Sequence, residues 1–215
     1  MDTKLRFKPI ELIDIGIDKH TKMPMPILSD NIIYTNDVVD GIPINTFTLT
    51  VSTLSFDIEI NNVRNISLSV NYGDGTTATL TGTTIIDNHT FLTTTPKTIQ
   101  FSGDLDKITG MTCMNCGLKS AYITKLIKIS HLNLSGNTLE EINLDGLVSL
   151  NNIDLSYNSL NASAIDDVFI YANTFLTYAG QIDVRGTNNA YPSIYSETAR
   201  DNLINNKLWT LYCNV

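Results

Sequence analysis

Charge is scarce in this sequence and leans one way: Asp, Glu, Lys and Arg make up 17% of the chain, and the net charge is −8. No run of Lys or Arg offsets that balance locally, so the electrostatic footprint that holds a phosphate backbone is missing and nucleic acid is not an expected partner. No apolar stretch reaches the roughly 18 residues of a membrane-spanning helix. The opening residues, MDTKLRFKPIELIDIG, contain no basic segment followed by an apolar one, so no export signal is expected. Cysteine is sparse too: Cys113, Cys116 and Cys213 are an odd three, too few to staple a chain of 215 residues. Histidine occurs at His20, His89 and His131, in three separate regions, and no Ser-His-Asp or metal constellation can be drawn from that spacing.

What fills the space left by charge is Thr, Asn and Ser, residues that favour strands, turns and loops, so the chain is expected to be mainly β with some helix. Its length suits two small domains and a real core. The second half carries a repeat. Ile108, Met111, Cys113, Cys116 and Leu118 fit the template L-x-x-L-x-L-x-x-N/C-x-L. The template returns 21 residues later as Ile129, Leu132, Leu134, Asn137 and Leu139, and after 21 more as Leu150, Ile153, Leu155, Asn158 and Leu160. The linking positions repeat with it, Ala121, Ile123 and Leu126 becoming Ile142, Leu144 and Leu147.

This pattern predicts a leucine-rich-repeat solenoid over 108–215. Each coil contributes one short parallel strand, and Asn137 and Asn158 form a ladder that bonds the backbone of adjoining coils. Beyond Leu160 the step lengthens to 29 residues, placing Ala179, Ile182, Val184 and Thr187 on the template, then Leu208, Leu211 and Cys213, for about five strands. The added length predicts two helices. The first is capped by Ser163 with Asp166 and buries Ile165, Val168, Phe169, Ala172, Phe175 and Leu176; the second is capped by Ser196 and runs through Ala199 and Leu203.

Residues 44–107 read as alternating strands, FTLTV, SFDIEI, ISLSVNY, TATLTG and TIQFSG. Tyr72-Gly73-Asp74-Gly75-Thr76 is a turn in which both glycines can take positive φ. Together with His89-Thr90-Phe91 it resembles the mark of the PKD-type immunoglobulin-like β-sandwich, an aromatic-GDGT turn followed by a His-Thr-aromatic strand. The family more often has Trp or Phe at Tyr72, and a Gly turn where this chain has TTTPKT. In residues 1–43, Pro9, Pro24 and Pro26 interrupt apolar clusters. That predicts an extended arm or anchor, with Ile10, Leu12, Ile13, Ile15 and Ile17 as the anchoring residues to be covered by a neighbouring subunit or by the sandwich itself.

Several candidate sites have ordinary explanations. Cys113-x-x-Cys116 could be half a zinc site or a redox pair, but both positions belong to the repeat and no second pair exists. Asp74, Asp104 and Asp106 form no calcium loop. Glu140-Glu141 and Asp166-Asp167 could be glycosidase acids, yet they sit on a repeat loop and a helix start. No catalytic residue, metal or cofactor is therefore expected, and an enzyme ranks last among the readings. The candidate partner surface is the outward side of the stacked strands: Thr112 and Met114; His131, Asn133 and Ser135; Asn152, Asp154 and Ser156; Gln181, Asp183 and Arg185.

A PKD-like sandwich running straight into leucine-rich coils resembles surface proteins of Bacteroidetes bacteria and structural proteins of their phages. The resemblance implies a non-enzymatic bacteriophage virion component, such as a head fibre, capsid decoration or tail-fibre protein. Such a protein would be made in the host cytoplasm, attach to other virion proteins through the arm, and meet a host surface protein or glycan through the repeat face. The alternative is a bacterial cell-surface adhesin, which would need the export signal that the opening residues lack. A homo-oligomer is compatible with either.

Overall fold

The structure, a computed structural model, describes residues 45–177 and 179–214, with the backbone of two short strands before them, β1 (Val38–Val39) and β2 (Ile42–Pro43). These two pair antiparallel. The anchor residues Ile10, Leu12, Ile13, Ile15 and Ile17 lie outside the described residues. Strand outweighs helix, 39% to 17%, so the chain is mainly β.

The antiparallel half is set by strict alternation. In β3 (Thr46–Val51), Phe47, Leu49 and Val51 are fully buried; β4 (Ser55–Asn71) buries Phe56, Ile58, Ile60, Ile66, Leu68 and Val70. β5 (Thr77–Thr90) pairs with β4 along both its halves, and β6 (Lys97–Gly103) pairs with β3 and with the end of β4. SFDIEI and ISLSVNY, expected as two strands, are therefore one strand of 17 residues. The residues between them form a β-bulge: the register with β5 jumps between Asn61 and Ile66. A bulge bends the strand that carries it. Before the bulge β4 takes β7 (Ile108–Thr112) as its second neighbour, and after it β6.

The second half is a parallel ladder. β7, β9 (His131–Asn133), β10 (Asn152–Asp154), β11 (Gln181–Asp183) and β12 (Thr210–Tyr212) follow one another in the sheet, and Met111, Leu132, Ile153, Ile182 and Leu211 stand opposite one another in a single row. That row is the expected register. Asn137 and Asn158 also behave as expected. The Asn137 amide nitrogen donates to the carbonyls of Cys113, Leu134 and Ser135 at 2.8–3.2 Å, and its oxygen accepts the N–H groups of Cys116 and Leu118. Asn158 ties Leu134, Leu155 and Leu139 in the same way.

The longer coils depart from expectation. Asn189, not Thr187, continues the ladder, donating to Leu155 and Val184 and accepting from Leu160. Ala179 and Leu208 are exposed, and Leu176 and Trp209 take their places inside. Each inserted helix returns the chain to the sheet from a new direction, which moves the buried residue off the template. The first helix, α1 (Ala162–Phe175), is capped by Asn161, whose side chain accepts from Ala164 N–H, rather than by Ser163. Its buried face holds Ile165, Val168, Phe169 and Ala172, whereas Phe175 is half exposed. Ser196 precedes α2 (Glu197–Asn205) but spends its hydroxyl on Asp166 of α1 instead of capping.

β8 (Leu118–Tyr122) was not legible as a strand. It adds antiparallel to the free edge of β3, so antiparallel pairing continues past residue 107. The two halves share one sheet, in the order β12-β11-β10-β9-β7-β4-β6-β3-β8, and one apolar core running from Phe47 to Trp209. Among the described residues, no helix is long and apolar enough to cross a membrane.

Candidate functional site

The outward side of the ladder is built by a device that recurs in the three middle coils. The last strand residue turns its side chain back onto the N–H two positions ahead: Asn133 accepts from Ser135, Asp154 from Ser156 and Asp183 from Arg185, each at 3.0 Å. The hydroxyls of Ser135 and Ser156 bond to the same oxygens, and the Arg185 guanidinium grips Asp183 at 2.6 Å. Short polar side chains are needed at these positions because they stand in for backbone partners at the end of a three-residue strand. Part of the polarity expected to serve a partner is thus used locally, and Ser156 is buried. Met114, His131, Gln181 and Arg185 stay exposed. Thr112, Asn133, Ser135, Asn152, Asp154 and Asp183 are partly exposed. The structure brings these residues onto one surface, as the alternation implies.

Three positions past the end of the strand, the first four coils each place a residue at positive φ. Asn115, Gly136, Tyr157 and Gly186 occupy that position, at φ of 53°, 68°, 54° and 132°. Gly and Asn reach the left-handed region at little cost, but a bulky aromatic does not. Tyr157 is held there by its N–H bonding Arg185 carbonyl at 2.7 Å, and its ring is 62% exposed. It sits beside Arg185, whose guanidinium lies 4.6 Å over the ring of Tyr212. Tyr157, Arg185 and Tyr212 are therefore an aromatic–guanidinium cluster at one end of the face. Sequence reasoning missed Tyr157. The signal was present, because it falls on the repeat position that is Gly at 136 and 186.

At the other end of the antiparallel half the YGDGT turn meets the HTF segment. His89 stacks on Tyr72 at 3.8 Å between ring centres, Phe91 meets His89 edge-on, and His89 Nε2 lies 2.8 Å from Asp74. Hydrogen bonds from Thr76 and from His89 hold the Asp74 carboxyl well below the usual carboxylate range. Burial, with the hydrogen bond that the Tyr72 hydroxyl donates to Asp87, pushes the phenol up. Gly73 is required here, since φ is +75° and a Cβ would lie 2.6 Å from the Thr98 carbonyl.

Cys113 and Cys116 are buried on repeat positions, and burial pushes the Cys113 thiol far above its ordinary value. The Cys116 thiol donates to the Asp57 carbonyl. Among the described residues no three His, Cys, Asp or Glu converge as metal ligands. Ser130 and His131 touch at 2.8 Å, but the same hydroxyl also bonds the Thr109 carbonyl and no carboxylate partner of His131 occurs among the described residues. Asp166 is committed to Ser193 and Ser196; burial alone would raise its carboxyl, but these bonds and the Ser193 N–H hold it below its ordinary value. The chemistry available on the ladder face is recognition by amides, carboxylates, one guanidinium and exposed aromatic rings. No family model, no curated protein and no solved structure matches the chain.

Proposed function

We propose that this chain is a non-enzymatic binding protein, a PKD-like sandwich leading into a leucine-rich-repeat solenoid, and that it serves as a bacteriophage virion component displaying the ladder face to a partner. The observation that carries the reading is the single row Met111, Leu132, Ile153, Ile182 and Leu211. With those residues pinned inward, their neighbours are held outward on one rigid surface. Binding surfaces concentrate their energy in a few Tyr, Trp and Arg residues, and the cluster of Tyr157, Arg185 and Tyr212 supplies such a centre. The sandwich reading rests on the packing of Tyr72, Asp74 and Thr76 with His89 and Phe91. The virion reading rests on the likeness of this combination to phage structural proteins. Residues 1–43, with the apolar cluster from Ile10 to Ile17, are the proposed attachment to other virion proteins.

Mass spectrometry of purified virions is the test. Peptides of this chain in proportion to capsid proteins support the reading; peptides confined to the bacterial envelope overturn it in favour of an adhesin. Arg185→Glu combined with Tyr157→Gly spares the strand-end bonds of Asp154 and Asp183 and should abolish attachment of the particle to its partner without lowering the unfolding midpoint.

A further inference from the structure

β3 sends Phe47, Leu49 and Val51 into the core, so Thr48 and Thr50 face the other way. Directly opposed residues of paired strands share a face, which puts Thr48 beside Tyr122 of β8, and Thr50 between Thr98 of β6 and Ser120 of β8. This outer face is a floor of hydroxyls. The link after β9 stands over it with Glu141 and Asn143, as do the first two turns of α1 with Ser163 and Asp167. Floor and walls enclose a cleft of about 690 Å³. That is the size of a small-ligand site, and it lies apart from the ladder face.

Thr48 carries the inference. It is 7% exposed, it lines the cleft, and its hydroxyl has no hydrogen bond among the described residues. Its side chain is thus fixed by the surrounding strands while its hydroxyl opens into the cleft, free to bond a partner that arrives from outside. Ser120, Glu141 and Asp167 line the same cleft and likewise make no side-chain hydrogen bond among the described residues.

The chemistry of the lining selects the ligand. Two carboxylates and no Lys or Arg line the cleft, so phosphates, sulfates and acidic sugars are repelled. Carboxylates accept strong hydrogen bonds from hydroxyl groups, and the hydroxyls of Thr48, Thr50 and Ser120 can either donate or accept. Tyr122, 41% exposed, offers an amphipathic ring against which an apolar face can lie. An edge rich in hydroxyls and a face of C–H groups describe one ligand class. We propose that the cleft between β3, β8 and α1 binds a neutral saccharide, with Asp167 and Glu141 accepting from sugar hydroxyls, Thr48 completing the contact at the floor, and Tyr122 covering the ring.

The full chain should be applied to a printed array of neutral hexose and N-acetylhexosamine oligosaccharides, each beside its sulfated and sialylated counterparts. Binding is expected to neutral members and at least tenfold weaker to their acidic counterparts. Thr48→Val keeps the shape and removes the hydroxyl; it should weaken binding about tenfold with the unfolding midpoint unchanged or raised. Tyr122→Ala should abolish binding, whereas Arg185→Glu with Tyr157→Gly on the ladder face should leave it intact. The proposal is overturned if no neutral member binds, if Thr48→Val and Tyr122→Ala bind as the parent does, or if changes on the ladder face remove the signal.

Discussion

In the antiparallel half β4 and β5 run 17 and 14 residues, and their backbones bond to each other almost throughout; in the ladder β9 to β12 are three residues each. The long strands satisfy their own backbone and need from side chains mainly a core, in which aliphatic residues surround a group of rings: Phe47 and Phe101 stack at 4.4 Å, and Phe56 and Phe91 are buried too. A three-residue strand leaves most of each coil outside the sheet, where buried N–H and C=O groups still require partners. Asn137, Asn158 and Asn189 supply them, while Leu, Ile and Val fill the coil. One half is thus held by main-chain pairing around a core of mixed rings and aliphatic residues, the other by side-chain amides around a mainly aliphatic one.

The largest effect expected from this difference is at Asn158. Asn158→Ala takes one of two amide donors from each of the Leu134 and Leu155 carbonyls, which keep Asn137 and Asn189, and orphans the buried Leu139 N–H; it should cost about 2–3 kcal/mol in urea unfolding. The same substitution at Asn88, an exposed residue of β5, should cost less than about 0.5 kcal/mol. Equal costs would erase the distinction between the halves. Next comes Phe101→Leu, which removes a stacked ring from the antiparallel core and should cost about 1–2 kcal/mol.

Alkaline pH separates the halves by a titration. Burial raises the Cys113 thiol above its unfolded value near 9, so the folded chain keeps its proton where the unfolded chain loses it. Stability from this group is complete below that value and falls as pH rises above it, by at most about 1.4 kcal/mol per pH unit. Cys113→Ala should flatten the decline above pH 9 in unfolding free energy. An unchanged slope would place the loss elsewhere, on Tyr72 first, whose phenol is raised by burial and by Asp87. The smallest effect should come from Arg185→Ala. Its ion pair with Asp183 is exposed, and its loss should change stability by less than about 0.5 kcal/mol, so any larger effect on partner binding belongs to the face itself.

The ladder was readable in advance because a 21-residue period fixes strand, inward row and Asn position at once, and Met111, Leu132 and Ile153 stand where that period puts them. Its later coils were less readable. A helix of 14 residues changes the path by which the chain re-enters the sheet, and nothing in residues 179–189 marks Asn189 over Thr187. The joining of two expected strands into β4 was hidden because Asn61 to Asn65 look like a turn, and in the fold they are a bulge. β8 was hidden for a different reason: LKSAY is a strand because β3 offers it an edge, not because of its own residues. The cleft needs Thr48, Tyr122 and Asp167 together, and no local pattern links three segments so far apart in sequence.

The central claim is that the ladder stands on the antiparallel half as one unit, since its first strand pairs with β4 and the segment after it with β3. The chain has a single tryptophan, Trp209, which is 3% exposed and lies just before β12 at the far end of the ladder. Its fluorescence therefore reports the ladder's end, while far-ultraviolet circular dichroism reports all the strands. Urea unfolding of the full chain followed by both signals should give one midpoint and one slope. A tryptophan transition at lower urea than the dichroism transition would contradict the claim, because the ladder's end would then melt while the antiparallel half stays folded.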